Sequence, residues 1–263
     1  MSGAREGVCA VAVMAKAPRP GRVKTRLVPP LTQEQATLLN AAFLRDITAN
    51  IAQAGASVPV APYVAYAPAG AEEGFGGMLA PGTALVLADG EIPMPAGIDG
   101  IGRSLLHATT ALLDRGHGAV CLVNSDSPTL PTAFLVAAAR ALAGAEAARR
   151  VVLGPAEDGG YYLIGAARAH AALFRDIPWS TKDVTASTLA RAAEAGLEVV
   201  ALPEWYDIDD RASLARLARA LASASGAASG SQAEEGALPF PAPATIACLA
   251  RLDPARLLAD GTG

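Results

Sequence analysis

The chain has 263 residues, of which 52% are hydrophobic and 17% are charged, and its formal net charge is −4. This composition is typical of a soluble globular protein with a full core. The acidic balance excludes general affinity for nucleic acid, because no excess positive charge is available to neutralise a phosphate backbone. The chain has no long apolar run, and its three cysteines show no zinc or disulfide spacing. These features predict a cytoplasmic protein that does not bind membranes.

Strand patterns alternate with helix patterns along the chain. The apolar run at 8–14 predicts a strand buried on both faces. Thr32, with Gln35 three residues later, predicts the capping box of a helix that stops at Gly55. Further strands are predicted at 58–65, 84–88, 119–123, 151–153, 161–164 and 197–202, and further helices at 103–115, 132–142, 184–195 and 211–221.

This alternation predicts an α/β fold, with helices covering both faces of one sheet. Pro59 and Pro62 suggest that the second strand lies at an edge or starts irregularly. The two strands on either side of residues 158–160 are close enough in sequence to pair antiparallel, which predicts a mixed sheet.

The composition changes after Leu221, where a tract rich in Ser, Ala and Gly begins. We therefore assign residues 1–222 to one domain and residues 223–263 to a flexible linker and C-terminal extension. Within the extension, the apolar residues 245–252 are a candidate for a short helix that packs back on the domain. The pattern leaves the oligomeric state open.

Five cations follow the first predicted strand within eleven residues: Lys16, Arg19, Arg22, Lys24 and Arg26. In open α/β sheets, ligands bind outside the carboxyl ends of the strands. A local excess of positive charge in an acidic protein therefore predicts a loop that binds the phosphates of a nucleotide. A solvated basic loop is the simpler alternative.

Carboxylates follow two other predicted strands. Asp126 follows the strand at 119–123. Asp207 and Asp209 lie on either side of Ile208, so both side chains would face the same side of an extended segment. Mg²⁺ or Mn²⁺ prefers carboxylates together with phosphate oxygens, and we predict a metal site formed by these three residues. Alternatively, Asp126 caps the helix that begins near Thr132 or shapes a turn before Pro128, and Asp209 or Asp210 caps the helix from Arg211.

A third cluster combines a carboxylate, two glycines and aromatic rings. Asp158 is predicted to activate an acceptor hydroxyl or to bind metal. The predicted acceptor pocket uses the close backbone approach that glycines allow and the ring faces beside them; its members are Gly159, Gly160, Tyr161, Trp179 and Ser180. Because Asp-Gly is also a strong hairpin signal, a plain β-turn is an equal alternative.

In this order, the motifs resemble the DUF2064 family over residues 8–221. They are Lys16-x-Pro18-x-x-Gly21-x-x-Lys24-Thr25-Arg26-Leu27, Asp126-Ser127-Pro128, the segment 154–165 around Asp158-Gly159-Gly160-Tyr161, and Asp207-Ile208-Asp209. The family is grouped with bacterial glycosyltransferases of the GT-A, nucleotide-diphospho-sugar transferase fold.

The resemblance implies a three-layer α/β/α sandwich with a mixed, mainly parallel sheet. It also implies that Lys16, Lys24 and Arg26 meet the donor phosphates and that Asp126 holds the divalent metal. Two features depart from the pattern: the metal motif is Asp-Ser-Pro where glycosyltransferases commonly have Asp-x-Asp, and the loop before Arg103 follows the family only loosely.

The basic loop is also similar to that of phospholactate guanylyltransferases, which have the same fold. Three functions therefore stay open. The favoured one is a glycosyltransferase that uses a nucleotide-sugar donor, a small-molecule acceptor and Mg²⁺ or Mn²⁺. The second is a nucleotidyltransferase that joins an NTP to a small phosphorylated metabolite and releases pyrophosphate. The third is a non-catalytic nucleotide-binding module.

Overall fold

A single seven-stranded sheet organises the computed structural model, which describes residues 7–90, 92–226 and 237–252. The strands are β1 (Cys9–Lys16), β2 (Val60–Ala67), β3 (Ala84–Leu87), β4 (Ala119–Val123), β5 (Arg150–Pro155), β6 (Tyr161–Ala166) and β7 (Glu198–Ala201). Their order is β3-β2-β1-β4-β6-β5-β7. Only β6 runs against its neighbours, β4 and β5, and all the other pairs are parallel. The predicted mixed, mainly parallel sheet is confirmed.

Helices cover both faces of the sheet. They are α1 (Gln33–Ala54), α2 (Gly100–Asp114), α3 (Thr132–Ala141), α4 (Val184–Glu194), α5 (Arg211–Gly226) and α6 (Pro243–Leu249). Alternate side chains of β1 enter two separate cores: Val11 and Val13 pack with α1, α3, α5 and α6, whereas Ala10 and Ala12 pack with α2 and α4. This is the three-layer α/β/α arrangement that the resemblance implied.

Local signals fixed the start of α1. The Thr32 side chain accepts from the Gln35 backbone N–H at 3.2 Å, and the Gln35 side chain accepts from the Thr32 N–H at 2.9 Å. The predicted capping box is confirmed, and it ends the basic loop at a defined residue.

Of the two alternatives for the second strand, the edge position is wrong, because β2 lies between β1 and β3. Its start is irregular, because its first residues pair with β1 alone. Pro62 pairs with Val11 of β1, but β3 pairs with β2 only from Tyr63 onward. One side of β2 therefore has no neighbouring strand at the proline, so no hydrogen bond is lost there.

The C-terminal segment packs on the domain, as the apolar residues 245–252 suggested. Buried Asp46 of α1 accepts hydrogen bonds from the backbone N–H groups of Ala244 and Thr245, at 2.9 and 2.6 Å, at the start of α6. The predicted linker begins inside α5, which extends to Gly226; the rest of it, residues 227–236, lies outside the described part of the chain. The proposed domain boundary stays a prediction. Within the described ranges, no helix has the length and apolar character that crossing a bilayer requires.

Candidate active site

Three carboxylates converge at the edge of the sheet where the parallel strands end. Asp158 lies in the turn between β5 and β6, and Asp207 and Asp209 lie in the segment between β7 and α5. One oxygen from each lies within 4.8 Å of the others. The two aspartates around Ile208 therefore do face one side, as the alternation predicted, and the arrangement offers three oxygen ligands to one cation.

The charges of this cluster repel one another. Burial, followed by the negative charges of Asp126 and Asp158, raises the pKa of Asp207 to about 7, although Ser127 donates to its Oδ1 at 3.1 Å. Burial and Asp126 also raise the pKa of Asp209, against the opposing charge of Lys24. A bound divalent cation would relieve this repulsion, so the donor set fits Mg²⁺ or Mn²⁺.

Asp126, which the sequence assigned to the metal, contacts an ammonium group. The Lys24 Nζ lies 2.7 Å from Asp126 Oδ1 and 3.5 Å from Asp209 Oδ1, and it donates to the Ile208 carbonyl. The Lys24 side chain is only 5% exposed. Lys24 thus links the basic loop to the acidic cluster. The geometry favours Asp158 over Asp126 as the third metal ligand, and a metal-binding role for Asp126 stays a prediction.

The predicted phosphate-binding residues line a cleft of about 400 Å³, with one exception. Lys16, Arg22, Lys24 and Arg26 all contribute to its wall, together with the ends of β1 and β2. Arg19 is exposed and lines neither this cleft nor the next one, so its predicted role has no support from its position. The structure brings four of the five cations together.

A second cleft, of about 570 Å³, adjoins the first and contains the acidic cluster. Of the predicted acceptor pocket, Gly160, Tyr161, Trp179 and Ser180 line it, and the rings of Tyr161 and Trp179 meet edge to face at 6.5 Å. The two clefts share a wall formed by Met14, Arg26, Ile101, Asn124, Asp126 and Asp209. Ligands in the two clefts would therefore meet beside the carboxylates.

Gly159 shapes the acidic turn and lies outside the cleft lining. Its φ is +90°, and a Cβ there would lie 2.2 Å from the Lys182 carbonyl oxygen. Only glycine suits this conformation and this close approach. Gly160 N–H then donates to Asp158 Oδ1 at 2.8 Å, which orients the carboxylate. The hairpin turn suggested by Asp-Gly is present, and it also presents the carboxylate.

Among the lining residues without a predicted role, Asn40 and Ile101 stand out by their burial and position. Asn40 of α1 is 4% exposed and lines the first cleft, and its Oδ1 has no hydrogen-bond partner among the described residues. Ile101 is 50% exposed at the start of α2, where it touches both clefts. An amide on the buried face of a helix was the available signal for Asn40. No sequence pattern marks Ile101, because its position depends on the packing of α2.

One known structure shares this architecture over nearly its whole length, and two others are more distantly similar. A protein from Desulfovibrio desulfuricans G20, provisionally named a nucleotide-diphospho-sugar transferase, is 28% identical, with a TM-score of 0.73, over 95% of this chain and 96% of its own. A Methanothermobacter nucleotidyl transferase is 19% identical over 80% of this chain and 95% of its own, with a TM-score of 0.44. The CMP:2-keto-3-deoxy-manno-octonic acid synthetase complexed with CTP is 15% identical over 82% and 99%, with a TM-score of 0.45.

No curated protein matches the chain. The model of the DUF2064 family, described as "Uncharacterized protein conserved in bacteria", matches residues 50–181, which is half of the chain. The match covers β2 to β6 with the Asp126 and Asp158 motifs. The resemblance predicted from the ordered motifs is confirmed, and the chain belongs to the DUF2064 family.

Proposed function

We propose that this protein is a metal-dependent transferase that uses a nucleotide-activated donor, and specifically a glycosyltransferase that uses a nucleotide-sugar. One observation carries the proposal: the Asp158, Asp207 and Asp209 cluster lies where a cationic cleft adjoins a second cleft. A transferase needs this arrangement, because donor and acceptor must meet at the group that stabilises the leaving charge.

The first cleft would hold the donor nucleotide. Lys16, Arg22 and Arg26 line it and form no ion pair within the described ranges, so their charges are available to phosphate oxygens. Lys24 is already engaged by carboxylates. We expect it to hold the acidic cluster in place beside the phosphates and to contact them only where they approach that cluster.

The metal would be held by Asp158, Asp207 and Asp209. When bound, Mg²⁺ or Mn²⁺ supplies positive charge that stabilises the departing phosphate group. The acceptor would occupy the second cleft, against the rings of Tyr161 and Trp179. Asp158 is exposed to this cleft and oriented by Gly160, and we expect the carboxylate oxygen that it does not offer to the metal to accept the proton of the acceptor hydroxyl.

The number of available cations bears on the choice of donor. Five cations in the sequence suit a triphosphate, but Arg19 lies outside the cleft and Lys24 is paired. The three that remain suit the lower negative charge of a nucleotide-sugar better than that of a triphosphate. The name of the Desulfovibrio protein supports the same choice.

Product analysis tests the proposal. The protein would be incubated with Mg²⁺, a mixture of small-molecule alcohols and phosphorylated metabolites as acceptors and, in turn, UDP-glucose, GDP-mannose, UTP and GTP. The products would be followed by phosphorus NMR, and the glycosyl group would be traced to the acceptor hydroxyl that replaces the nucleoside diphosphate. We expect a nucleoside diphosphate from a nucleotide-sugar, and we expect no such product in EDTA. Pyrophosphate from an NTP in the presence of a phosphorylated acceptor would replace the glycosyltransferase proposal with the nucleotidyltransferase. If no nucleotide binds with or without metal, the transferase proposal is wrong.

A further inference from the structure

One arginine contacts both loops that carry the acidic cluster. Arg216 of α5 makes two parallel hydrogen bonds to Glu157: Nη1 to Oε2 at 2.6 Å and Nη2 to Oε1 at 3.0 Å. Its guanidinium carbon also lies 4.0 Å from the centroid of the Tyr206 ring. Glu157 directly precedes Asp158, and Tyr206 directly precedes Asp207.

The backbone joins the same two loops. The Glu157 N–H donates to the Trp205 carbonyl at 3.0 Å. The Ser127 hydroxyl lies 3.1 Å from both the Tyr206 carbonyl oxygen and Asp207 Oδ1, and its one hydrogen is shared between these two acceptors. The Tyr206 hydroxyl lies 3.1 Å from Thr129 Oγ1. Tyr206 is therefore fixed on one side by the loop after β4, and Arg216 connects that fixed ring to the Asp158 turn.

Like charges oppose the arrangement that this network holds. Asp158 and Asp207 belong to different loops, their carboxylate oxygens lie within 4.8 Å of each other, and their mutual repulsion favours separation of the loops. The planar Arg216 guanidinium makes two hydrogen bonds to Glu157 in one loop and stacks on Tyr206 in the other, and these contacts oppose the separation. An ammonium group makes neither contact in this form.

We infer that Arg216 is a positioning residue for the divalent-cation site: it fixes the separation of Asp158 from Asp207, and it touches neither metal nor substrate. This inference rests on the proposed metal site. Because the Arg216 and Glu157 side chains are 51% and 46% exposed, their ion pair adds little to the stability of the fold. We therefore expect loss of Arg216 to lower the metal affinity, which residues that support the ligands commonly change by about 10–100-fold.

The test measures Mn²⁺ binding to the full chain by electron paramagnetic resonance, with the melting temperature recorded for every variant. Arg216→Ala should weaken Mn²⁺ binding by about tenfold with little change in melting temperature, and Arg216→Lys should not restore binding. Arg219→Ala is the matched control: this arginine is exposed on the same helix, it makes no ion pair among the described residues, and its variant should bind like wild type. Arg216→Ala combined with Glu157→Ala should bind Mn²⁺ no more weakly than Arg216→Ala alone, because the arginine substitution already removes the ion pair that the glutamate substitution would break.

The outcomes separate the two claims. If wild type binds no Mn²⁺, the metal site and the positioning role both fall. If wild type binds Mn²⁺, Asp207→Asn abolishes the binding and Arg216→Ala leaves it unchanged, the site stands and the role of Arg216 is overturned. If Arg216→Ala does not fold, Glu157→Ala removes both hydrogen bonds from the other side, and wild-type affinity in that variant would overturn the inference equally.

Discussion

Replacing Lys24 with methionine should destabilise the protein by about 2–3 kcal/mol. The substitution removes the ammonium that lies 2.7 Å from Asp126 and 3.5 Å from Asp209, and it leaves the Ile208 carbonyl without this donor. Methionine keeps most of the apolar stem, and besides the ion pairs it loses only the placement of the ammonium 5.4 Å from the centroid of the Phe43 ring, which is also a charge interaction. The loss is therefore mainly electrostatic.

The magnitude follows from burial. Breaking a fully buried ion pair costs about 3–5 kcal/mol, and an exposed pair contributes about 0–1 kcal/mol. Lys24 is 5% exposed, whereas Asp126 and Asp209 are 30% and 40% exposed, so water screens the two carboxylates that remain. An intermediate cost is expected, and part of it should be recovered in Lys24→Met combined with Asp126→Asn, where one of the carboxylates is neutral.

Urea unfolding in EDTA measures this cost, and Lys16→Met is the control. Lys16 lines the same cleft but is exposed, so its variant should change the free energy of unfolding by less than about 0.5 kcal/mol while still weakening nucleotide binding. Equal stability of Lys24→Met and wild type would refute the bridging role of Lys24. Failure of the double variant to recover stability would refute its electrostatic origin.

Three further predictions concern other parts of the site. In metal-free protein, the pKa of Asp207 is about 7 in the folded state and 3.8 in the unfolded state, so the folded protein binds this proton more tightly. The free energy of unfolding should therefore gain its full contribution from Asp207 below pH 3.8 and lose it as the pH rises to about 7. Urea unfolding of wild type across this range should show the decline and Asp207→Asn should not; parallel curves would contradict the prediction. Asn40→Leu should weaken nucleotide binding about fivefold or more in calorimetry, because the buried Oδ1 is free to bind the ligand. The melting temperature should not fall, since this oxygen makes no hydrogen bond to the described residues that the substitution could remove, and unchanged affinity would exclude Asn40 from the site. Gly159→Ala should cost more than about 2 kcal/mol, because its Cβ meets Lys182, whereas Gly144→Ala, with a similar φ of +88° and open space around it, should cost less; equal losses would show that backbone strain alone acts.

Local sequence signals predicted the elements of the fold well. The capping box at Thr32 depends on residues three positions apart, and the buried strand β4 is a five-residue apolar run. Such features are decided within one element, so composition and spacing reveal them. The position of β2 inside the sheet is different, because it depends on where β3 pairs and not on Pro62 itself.

The sequence placed the clusters at the correct edge of the sheet but could not assign their partners. The carboxyl ends of parallel strands lie at the same edge of a sheet, so the basic and acidic segments that follow these strands could be expected to meet there. Whether Asp126 faces a metal or Lys24 depends on how far the Lys24 side chain reaches across the loop, and this is decided by tertiary packing. The convergence of Asp158 with Asp207 and the link through Arg216 depend in the same way on contacts between distant segments.

The central claim is that nucleotide binding depends on a metal held by the acidic cluster. The most direct measurement is calorimetric titration of wild type and Asp207→Asn with UDP-glucose and GDP-mannose, in Mg²⁺ and in EDTA. We expect one nucleotide-sugar to bind wild type in Mg²⁺ and to lose at least about tenfold in affinity both in EDTA and in the variant. Equal affinity under all these conditions would contradict the claim.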